Sequence, residues 1–314
     1  MKISILIANY NYAKYLKEAV DSVLAQTYQN VEIVIVDDGS TDNSPEVITQ
    51  LQRKSPDKIK AIFQSNQGQA AAFNRGFEAT TGDIVAFLDA DDFWKPDKLQ
   101  LVVEAFSTSE VVGVLHHLDV TDADGNIFAC TGEGLKLNDN VAQIVLDTGN
   151  TWCFPPTSGL TFRHSALEKV LPVDPEQWRL HVDGCLIYST AFLGKIKTLN
   201  KRLGSYRNHG ENIHATHEVT QEVEAKWLEI TETTNQYINK FLERIDYPAR
   251  VDLSRNLHYQ RSKYYLHGKW DARKVLTISR LILQWTLYTK QQKLYYLTRF
   301  LLKNTKLLVS SAFD

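Results

Sequence analysis

The stretch VAFLDADDFWKPDKL, residues 85–99, drives an apolar run into three carboxylates, Asp89, Asp91 and Asp92. Like charges this close repel, and water or a cation must compensate them. Hard divalent cations such as Mg²⁺ and Mn²⁺ prefer oxygen ligands. Mg²⁺ in particular takes one or two carboxylates and completes its shell with water and phosphate oxygens. A D-x-D at a strand end therefore suits a metal-diphosphate ligand. Two other chemistries fit the run poorly. An EF-hand loop starting at Asp89 needs Gly at its sixth position, here Trp94, and Glu at its twelfth, here Gln100. Phosphatases with an Asp nucleophile in D-x-D carry the motif near the chain start with a Thr or Val soon after. Here Phe93 and Trp94 follow. Trp94 reads as core or edge packing, with stacking against a sugar as the other reading.

The elements that must position these acids are legible in the first hundred residues. ISILIA (3–8) reads as a buried strand, and Leu16, Ala19, Val20, Val23 and Leu24 fall at helical spacing over 14–26. VEIVIVDD (31–38) is a second strand, and Ser44-Pro45 an N-cap followed by Pro at the first helical position. IKAIFQ (59–64), GQAAAFNRGFEAT (68–80) and DIVAFLD (83–89) read as strand, helix and strand. Strand and helix alternate with short connections, which predicts a doubly wound, mostly parallel sheet. Ligands bind such sheets outside the carboxyl ends of the strands. That edge collects Asn9, Tyr10 and Asn11, then Asp37 and Asp38, then Asn66, then the three acids.

Further along, 111–129 reads as two strands joined through Asp124-Gly125. Residues 158–172 read as strand, helix and Pro stop, 181–194 as a helix ending at Gly194, and KIKTLN as a strand. His116 and His117 have no partner legible in the sequence and read as structural. From about 216 the pattern becomes all-helical. Val223, Trp227, Ile230, Tyr237, Phe241 and Ile245 share one predicted face, and 252–267, 270–286 and 289–307 are helical too. The expected organisation is a catalytic domain over 1–215 and a helical region over 216–314. Residues 269–306 carry nine Lys or Arg against one acid, Asp271, interleaved with aromatics. Two readings stand: a hairpin with a solvated basic face, which is the ordinary one, and peripheral contact with an anionic membrane.

Bulk composition narrows the classes. Basic and acidic residues number 35 and 37, so charge gives no reason to expect nucleic acid. Cys130, Cys153 and Cys185 form no CxxC pair, so neither a zinc site nor a disulfide framework is indicated. A reduced, cytoplasmic setting is expected. MKISILIANY does not read as a signal peptide, and no apolar run approaches the ~18 residues of a membrane span.

Taken together, the motifs resemble glycosyltransferase family 2, inverting enzymes with the GT-A fold, in its bacterial members. SILIANYNYAKYLKEAVDSVLAQTY is similar to the family's opening strand and helix, and EIVIVDDGSTDNS to its nucleotide-binding segment. NQGQAAAFNRGFEATTGDIVAFLDADD is similar to the central block that ends in the metal site. HVDG matches the region of the catalytic base, and YRNHGENIH resembles a closing motif. The resemblance covers roughly residues 1–215. It implies nucleotide contacts from Ala8, Asn9, Tyr10, Asp37 or Asp38, Asn66, Arg75, Asp89 and Ala90. It implies Mg²⁺ or Mn²⁺ on Asp91, with Asp89 at the metal or the ribose, and His209 reaching the metal or diphosphate. Asp92 would be structural or support the other acids. Asp183 would be the general base. Two positions depart from the family pattern. Many members have Arg directly before the Asn of the central block, where this chain has Phe73, and Arg75 lies on the other side of Asn74. Many also have Glu-Asp where this chain has Val182-Asp183.

The implied reaction is a single displacement from a nucleoside-diphosphate sugar, UDP-sugar by default, to a hydroxyl of a glycan, a lipid-linked or a protein acceptor. Asp183 would take the hydroxyl proton. Surface polysaccharide or glycoconjugate assembly is the implied setting, in the cytoplasm or at the inner face of the membrane. Acceptor contacts would come from the variable segment 113–165, with the helical region as a further source. A nucleotidyltransferase would carry a glycine-rich loop after the first strand, where ANYNYAKY stands instead. A Rossmann oxidoreductase would need G-x-G-x-x-G there. A non-catalytic scaffold on the same fold is the remaining alternative.

Overall fold

The computed structural model describes residues 1–131, 139–149, 154–179, 181–210 and 220–311, with side chains described as far as residue 305. Cys153 and the ENIH end of YRNHGENIH lie outside the described residues. So do parts of the expected acceptor segment 113–165.

The first half builds four strands and three helices in alternation: β1 (Ile3–Asn9), α1 (Ala13–Leu24), β2 (Val31–Asp37), α2 (Ser44–Lys54), β3 (Ile59–Phe63), α3 (Gln69–Phe77) and β4 (Ile84–Phe87). These strands lie parallel in the order β3-β2-β1-β4. β1, β2 and β4 are near-continuous apolar runs because helices cover both faces. α1 buries Leu16, Ala19, Val20 and Val23 of the five residues its periodicity selects, and Leu24 is half-buried. α2 starts one residue earlier than the Ser44 cap reading. Ser44 is buried, and the Asp42 carboxylate accepts its amide at 2.9 Å instead. α3 crosses β1 and β2 at Gly76, where a Cβ would meet a Leu6 methyl carbon at 2.1 Å. Only glycine permits that approach.

The second half adds β5 (Phe93–Trp94), α4 (Lys98–Ala105), β6 (Val111–Thr121), β7 (Ile127–Cys130), α5 (Val141–Thr148), β8 (Leu160–Arg163), α6 (His164–Leu167), α7 (Val182–Thr190) and β9 (Lys195–Arg207). The sheet continues from β4 as β8-β6-β9-β5, with β7 also on β6. The β4–β8, β8–β6 and β9–β5 pairs are antiparallel, and β6–β9 is parallel. The parallel half is thus extended by a mixed half. Gly125, at φ +89°, turns the chain from β6 into β7. Strand reversal at β4–β8 sets Ala86 against Thr161, so Ser158 and Thr157 arrive opposite the acids that follow β4. β9 runs well past KIKTLN. Its far end pairs Ser205 with Phe93 and brings Arg207 and His209 to the same place.

The chain divides into two compact units, Met1–Asp139 with Cys153–Ala215, and Asn140–Trp152 with Thr216–Asp314. In the second, α8 (Gln221–Arg244), α9 (Leu257–His267), α10 (Ala272–Gln284) and α11 (Lys290–Ser311) follow one another. α5 belongs to this helical unit: the Gly149 carbonyl after it accepts from Asn256 Nδ2 at 2.9 Å. The expected α8 stripe is corrected. Thr234, Ile238, Phe241 and Leu242 are buried, while Trp227 is 47% exposed. Val223, Leu228 and Ile230 in its N-terminal half are half-buried, so the helix is fully covered only toward its C-terminal end. Leu257, Tyr264, Ile278, Ile282, Trp285 and Phe300 form the unit's core.

Candidate active site

The acids after β4 are held by a turn that the sequence reading passed over. The Ser158 hydroxyl accepts the Asp89 amide at 3.0 Å and donates to Asp92 Oδ2 at 2.5 Å. Asp92 Oδ1 accepts the Arg207 amide at 2.9 Å, so both oxygens of this buried carboxylate serve the scaffold. Burial, then the charges of Asp91 and Asp89, push the Asp92 carboxyl well above the usual range. Asp89 keeps partial solvent contact, yet packing around it raises its carboxyl strongly as well. Asp91 and then Asp183 add to that rise. Burial and the charges of Asp91 and Asp89 also raise the phenol of Tyr12. The protein therefore leaves negative charge here incompletely compensated.

Asp183 sits in the first turn of α7, behind His181 in a left-handed conformation at φ +64°. Burial raises its carboxyl to about 6, although the Gly184 amide donates to Oδ1 at 3.0 Å. The Thr157 hydroxyl acts on both the Asp183 and the Asp89 carboxyls, lowering each against the effect of burial. Asp183 in turn raises Asp89, so the base and an acid of the metal motif share one electrostatic environment. The PPTSG run just before β8 was the sequence signal for this turn.

At the other wall, His209 Nε2 donates to Asp91 Oδ2 at 3.1 Å. Its ring stacks on Tyr15 with 5.2 Å between centroids and meets the edge of Tyr12 at 5.7 Å. Arg207 is buried behind it. Nε donates to the Asp91 carbonyl at 2.9 Å, one terminal nitrogen to Ala123 at 2.7 Å and the other to Glu18 at 2.5 Å. The motif YRNHGENIH contains Arg207, yet no role for that residue was legible, because it depends on β9 pairing with β5.

The remaining nucleotide candidates follow β1, β2 and β3. Asn9 Nδ2 donates to Asp37 Oδ1 at 2.8 Å and to Ser40 Oγ at 3.1 Å, while its Oδ1 is buried with no hydrogen-bond partner. Asp37 also accepts the Ser40 amide. Asp38 accepts the Gln67 and Gly68 amides at 2.9 and 2.7 Å, fastening the start of α3. Tyr10 is exposed, Ala8 lies near the end of β1, and Ala90 lies in the turn that follows β4. Asn66 accepts from Arg179. These residues share the carboxyl edge of the sheet, next to the crossover between β1 and β4.

Arg75 departs from the expectation. α3 runs away from that edge, and six residues of helix carry Arg75 about 9 Å from its start. It pairs with Glu78 at 3.2 Å on an exposed face. Phe73, at the usual arginine position, is buried against Phe87 with 5.0 Å between centroids. Arg75→Ala is expected to leave nucleotide-induced stabilisation unchanged and to shift stability by no more than about 0.5 kcal/mol. Titration calorimetry with the nucleotide would expose any loss of affinity.

Trp94 is core. Its Nε1 donates to the Ser158 carbonyl at 3.0 Å, and Lys98 Nζ lies 2.9 Å from the ring centroid. Lys98 is fully buried, and burial pulls its ammonium well below the usual lysine range. The folded state then binds fewer protons than the unfolded one, so this group adds stability as pH rises toward the ordinary lysine pKa. Lys98→Met keeps the volume and removes the buried charge. It is expected to gain about 1–3 kcal/mol at neutral pH, read from urea unfolding. A loss would mean that the ammonium's contacts with Trp94 and Ser158 outweigh its burial. His116 and His117 are structural, each placing Nδ1 2.9 Å from a backbone carbonyl oxygen.

Among the described residues no three His, Cys, Asp or Glu side chains form a ready metal cluster. A cation would therefore take one or two carboxylates, with water and phosphate oxygens completing its shell. Asp89 with Asp91 beside it supplies carboxylate oxygens of the kind such a cation takes.

Residues 4–171 match the family model described as Glycosyl transferase family 2. The chain belongs to glycosyl transferase family 2. An uncharacterized glycosyltransferase of Nostoc sp. is 61% identical, covering 99% of this chain and 97% of its own. Glycosyltransferase GlyG of Streptococcus pneumoniae is 30% identical, covering 68% of this chain and 73% of its own. Among solved structures, S. aureus TarS 1-349 in complex with UDP superposes with a TM-score of 0.55 at 18% identity, covering 90% of this chain and 83% of that one. The mannosyltransferase PcManGT of Pyrobaculum calidifontis, in complex with GDP-Man and Mn²⁺, gives 0.52 at 16% identity, covering 99% and 86%. The family 2 chain is thus a glycosyltransferase with a GT-A domain and a helical C-terminal region. Among the described residues no helix is long and apolar enough to cross a membrane.

Proposed function

We propose that this glycosyltransferase moves a sugar from a nucleoside-diphosphate sugar to an acceptor hydroxyl with inversion, and that Asp183 is its base. The observation that carries the reading is the nearness of Asp183, in the first turn of α7, to Asp89, whose carboxyl it raises together with Asp91. A carboxyl near 6 is ionised at neutral pH and still basic enough to accept a proton in the transition state. Asp183 would take the acceptor proton while the hydroxyl attacks opposite the departing diphosphate, and one base with in-line attack inverts the anomeric centre. Asp91 and Asp89 would hold Mg²⁺ or Mn²⁺, which when bound neutralises charge on the diphosphate. His209, already on Asp91, is placed to follow that group.

Asn9, Asp37, Asp38, Tyr10, Asn66, Ala8 and Ala90 would line the nucleoside side, where the unpaired Asn9 Oδ1 offers a buried acceptor. UDP is the first nucleotide to test, since the solved relatives include one complex with UDP and one with UDP-GlcNAc. GDP follows because another holds GDP-Man. The acceptor would be a glycan, lipid-linked or protein hydroxyl in surface polysaccharide or glycoconjugate assembly, by family analogy. Residues 1–215 would carry the chemistry and 216–314 the helical accessory role. Unpaired Cys130 and Cys185 suit a cytoplasmic setting.

The test is a melting panel of UDP, GDP, dTDP and CDP, each with and without Mn²⁺. One nucleotide raising the melt only with Mn²⁺ supports the reading and names the donor class. No response to any nucleotide at saturation would favour a non-catalytic scaffold.

A further inference from the structure

The helical unit turns an apolar face to water. On α11, Leu294, Tyr295, Leu301 and Leu302 are all exposed, Leu294 at 67% and Leu302 at 62%. At 3.6 residues per turn they lie opposite the buried Phe300 and Asn304. The exposed residues between them are Thr298 and Thr305, while Arg299 and Lys303 stand to one side. An ordinary solvated helix face would carry charge where these leucines stand. α10 repeats the arrangement. Leu276 and Leu283 are exposed, opposite the buried Ile278 and Ile282, with Arg273 and Arg280 beside them.

The charge around these leucines is one-signed. Residues 269–306 hold nine Lys or Arg and one acid in a chain that is net −2 overall. The acid, Asp271, is used up capping α10, where it accepts the Arg273 and Lys274 amides at 2.8 and 3.1 Å. We propose that the outward faces of α10 and α11 seat the protein on an anionic phospholipid surface. The leucines and Tyr295 would enter the acyl boundary, and the flanking Lys and Arg would pair with headgroup phosphates. A second copy is a poorer occupant, because a two-fold interface would set basic rims against each other. Nucleic acid would leave the leucines in water.

The test is sedimentation of the full chain with vesicles of phosphatidylcholine alone and of equal parts phosphatidylcholine and phosphatidylglycerol. Partition onto the anionic vesicles is expected to be at least about tenfold stronger, and to fall at high salt. The triple variant Leu294→Gln, Leu301→Gln, Leu302→Gln is expected to stay in the supernatant. These side chains already face water, so its melt and its response to nucleotide should match the parent. Arg280→Glu with Arg299→Glu provides a second folded variant, expected to lose the preference for anionic vesicles. The proposal is overturned if the parent ignores anionic vesicles at low salt, or if the triple variant binds as the parent does. It is also overturned if light scattering shows a dimer that this variant dissolves, since the face would then belong to a second copy.

Discussion

Asp183→Asn is expected to lower kcat by about 10²–10⁴-fold, the span a positioned general base supplies. Nucleotide-induced stabilisation should survive, because Asn keeps the size of the side chain. The parent's kcat/KM should fall as pH drops through about 6, where the free enzyme's Asp183 takes up its proton. The same group affects stability. Its folded pKa lies above the unfolded value of 3.8, so the folded state binds more protons between the two. That contribution is fully present below 3.8 and is lost as pH rises through about 6. Asn carries no such charge, so the variant should be more stable than the parent at neutral pH by on the order of 1–3 kcal/mol. An inactive but more stable protein would mark a strained site that function maintains. Near-parental turnover would remove Asp183 from the chemistry.

Asp91→Ala is expected to abolish the Mn²⁺-dependent part of nucleotide stabilisation. For the parent, a ligand at ~100 times its dissociation constant adds about 2.7 kcal/mol, roughly 2–4 °C for a domain near 200 residues. The unliganded variant should melt no lower than the parent. Its charge is one reason the Asp89 and Asp92 carboxyls are raised, so removing it relieves both. His209 loses its Asp91 acceptor at the same time, which offsets part of that gain. The pairing of an unchanged melt with a lost Mn²⁺ response separates a ligand defect from unfolding. An intact response would move the cation elsewhere, and Asp89→Ala would then be the variant to measure.

Much of the site was legible because its signals are local. An apolar run followed by Asp-Ala-Asp-Asp needs no knowledge of the rest of the chain to read as a strand ending in acids. The same holds for Asn9 after β1, Asp37 and Asp38 after β2, and Asp183 in the first turn of α7. Leu16, Ala19, Val20 and Val23 announced the buried face of α1 through a period of 3.6. Periodicity misled on α8 because it cannot say how deeply each turn of a long helix is covered, and Trp227 stayed exposed.

What the amino-acid sequence determined by itself was the alternation of the first four strands with their helices, and hence the edge where polar groups gather. Each strand and helix there declares itself within about ten residues, and right-handed parallel crossovers leave few ways to assemble them. Tertiary structure decided everything that depends on pairing distant segments. β8 folding back on β4 set Thr157 and Ser158 among the acids, and β9 reaching β5 delivered Arg207 and His209. The direction of α3 carried Arg75 to an exposed pair with Glu78, and the Gly149–Asn256 hydrogen bond joined α5 to the helical unit. The contacts of β9's end span 115 residues of chain in the Arg207–Asp92 bond and 189 in the Arg207–Glu18 bond, and local propensity holds no record of contacts made at that separation.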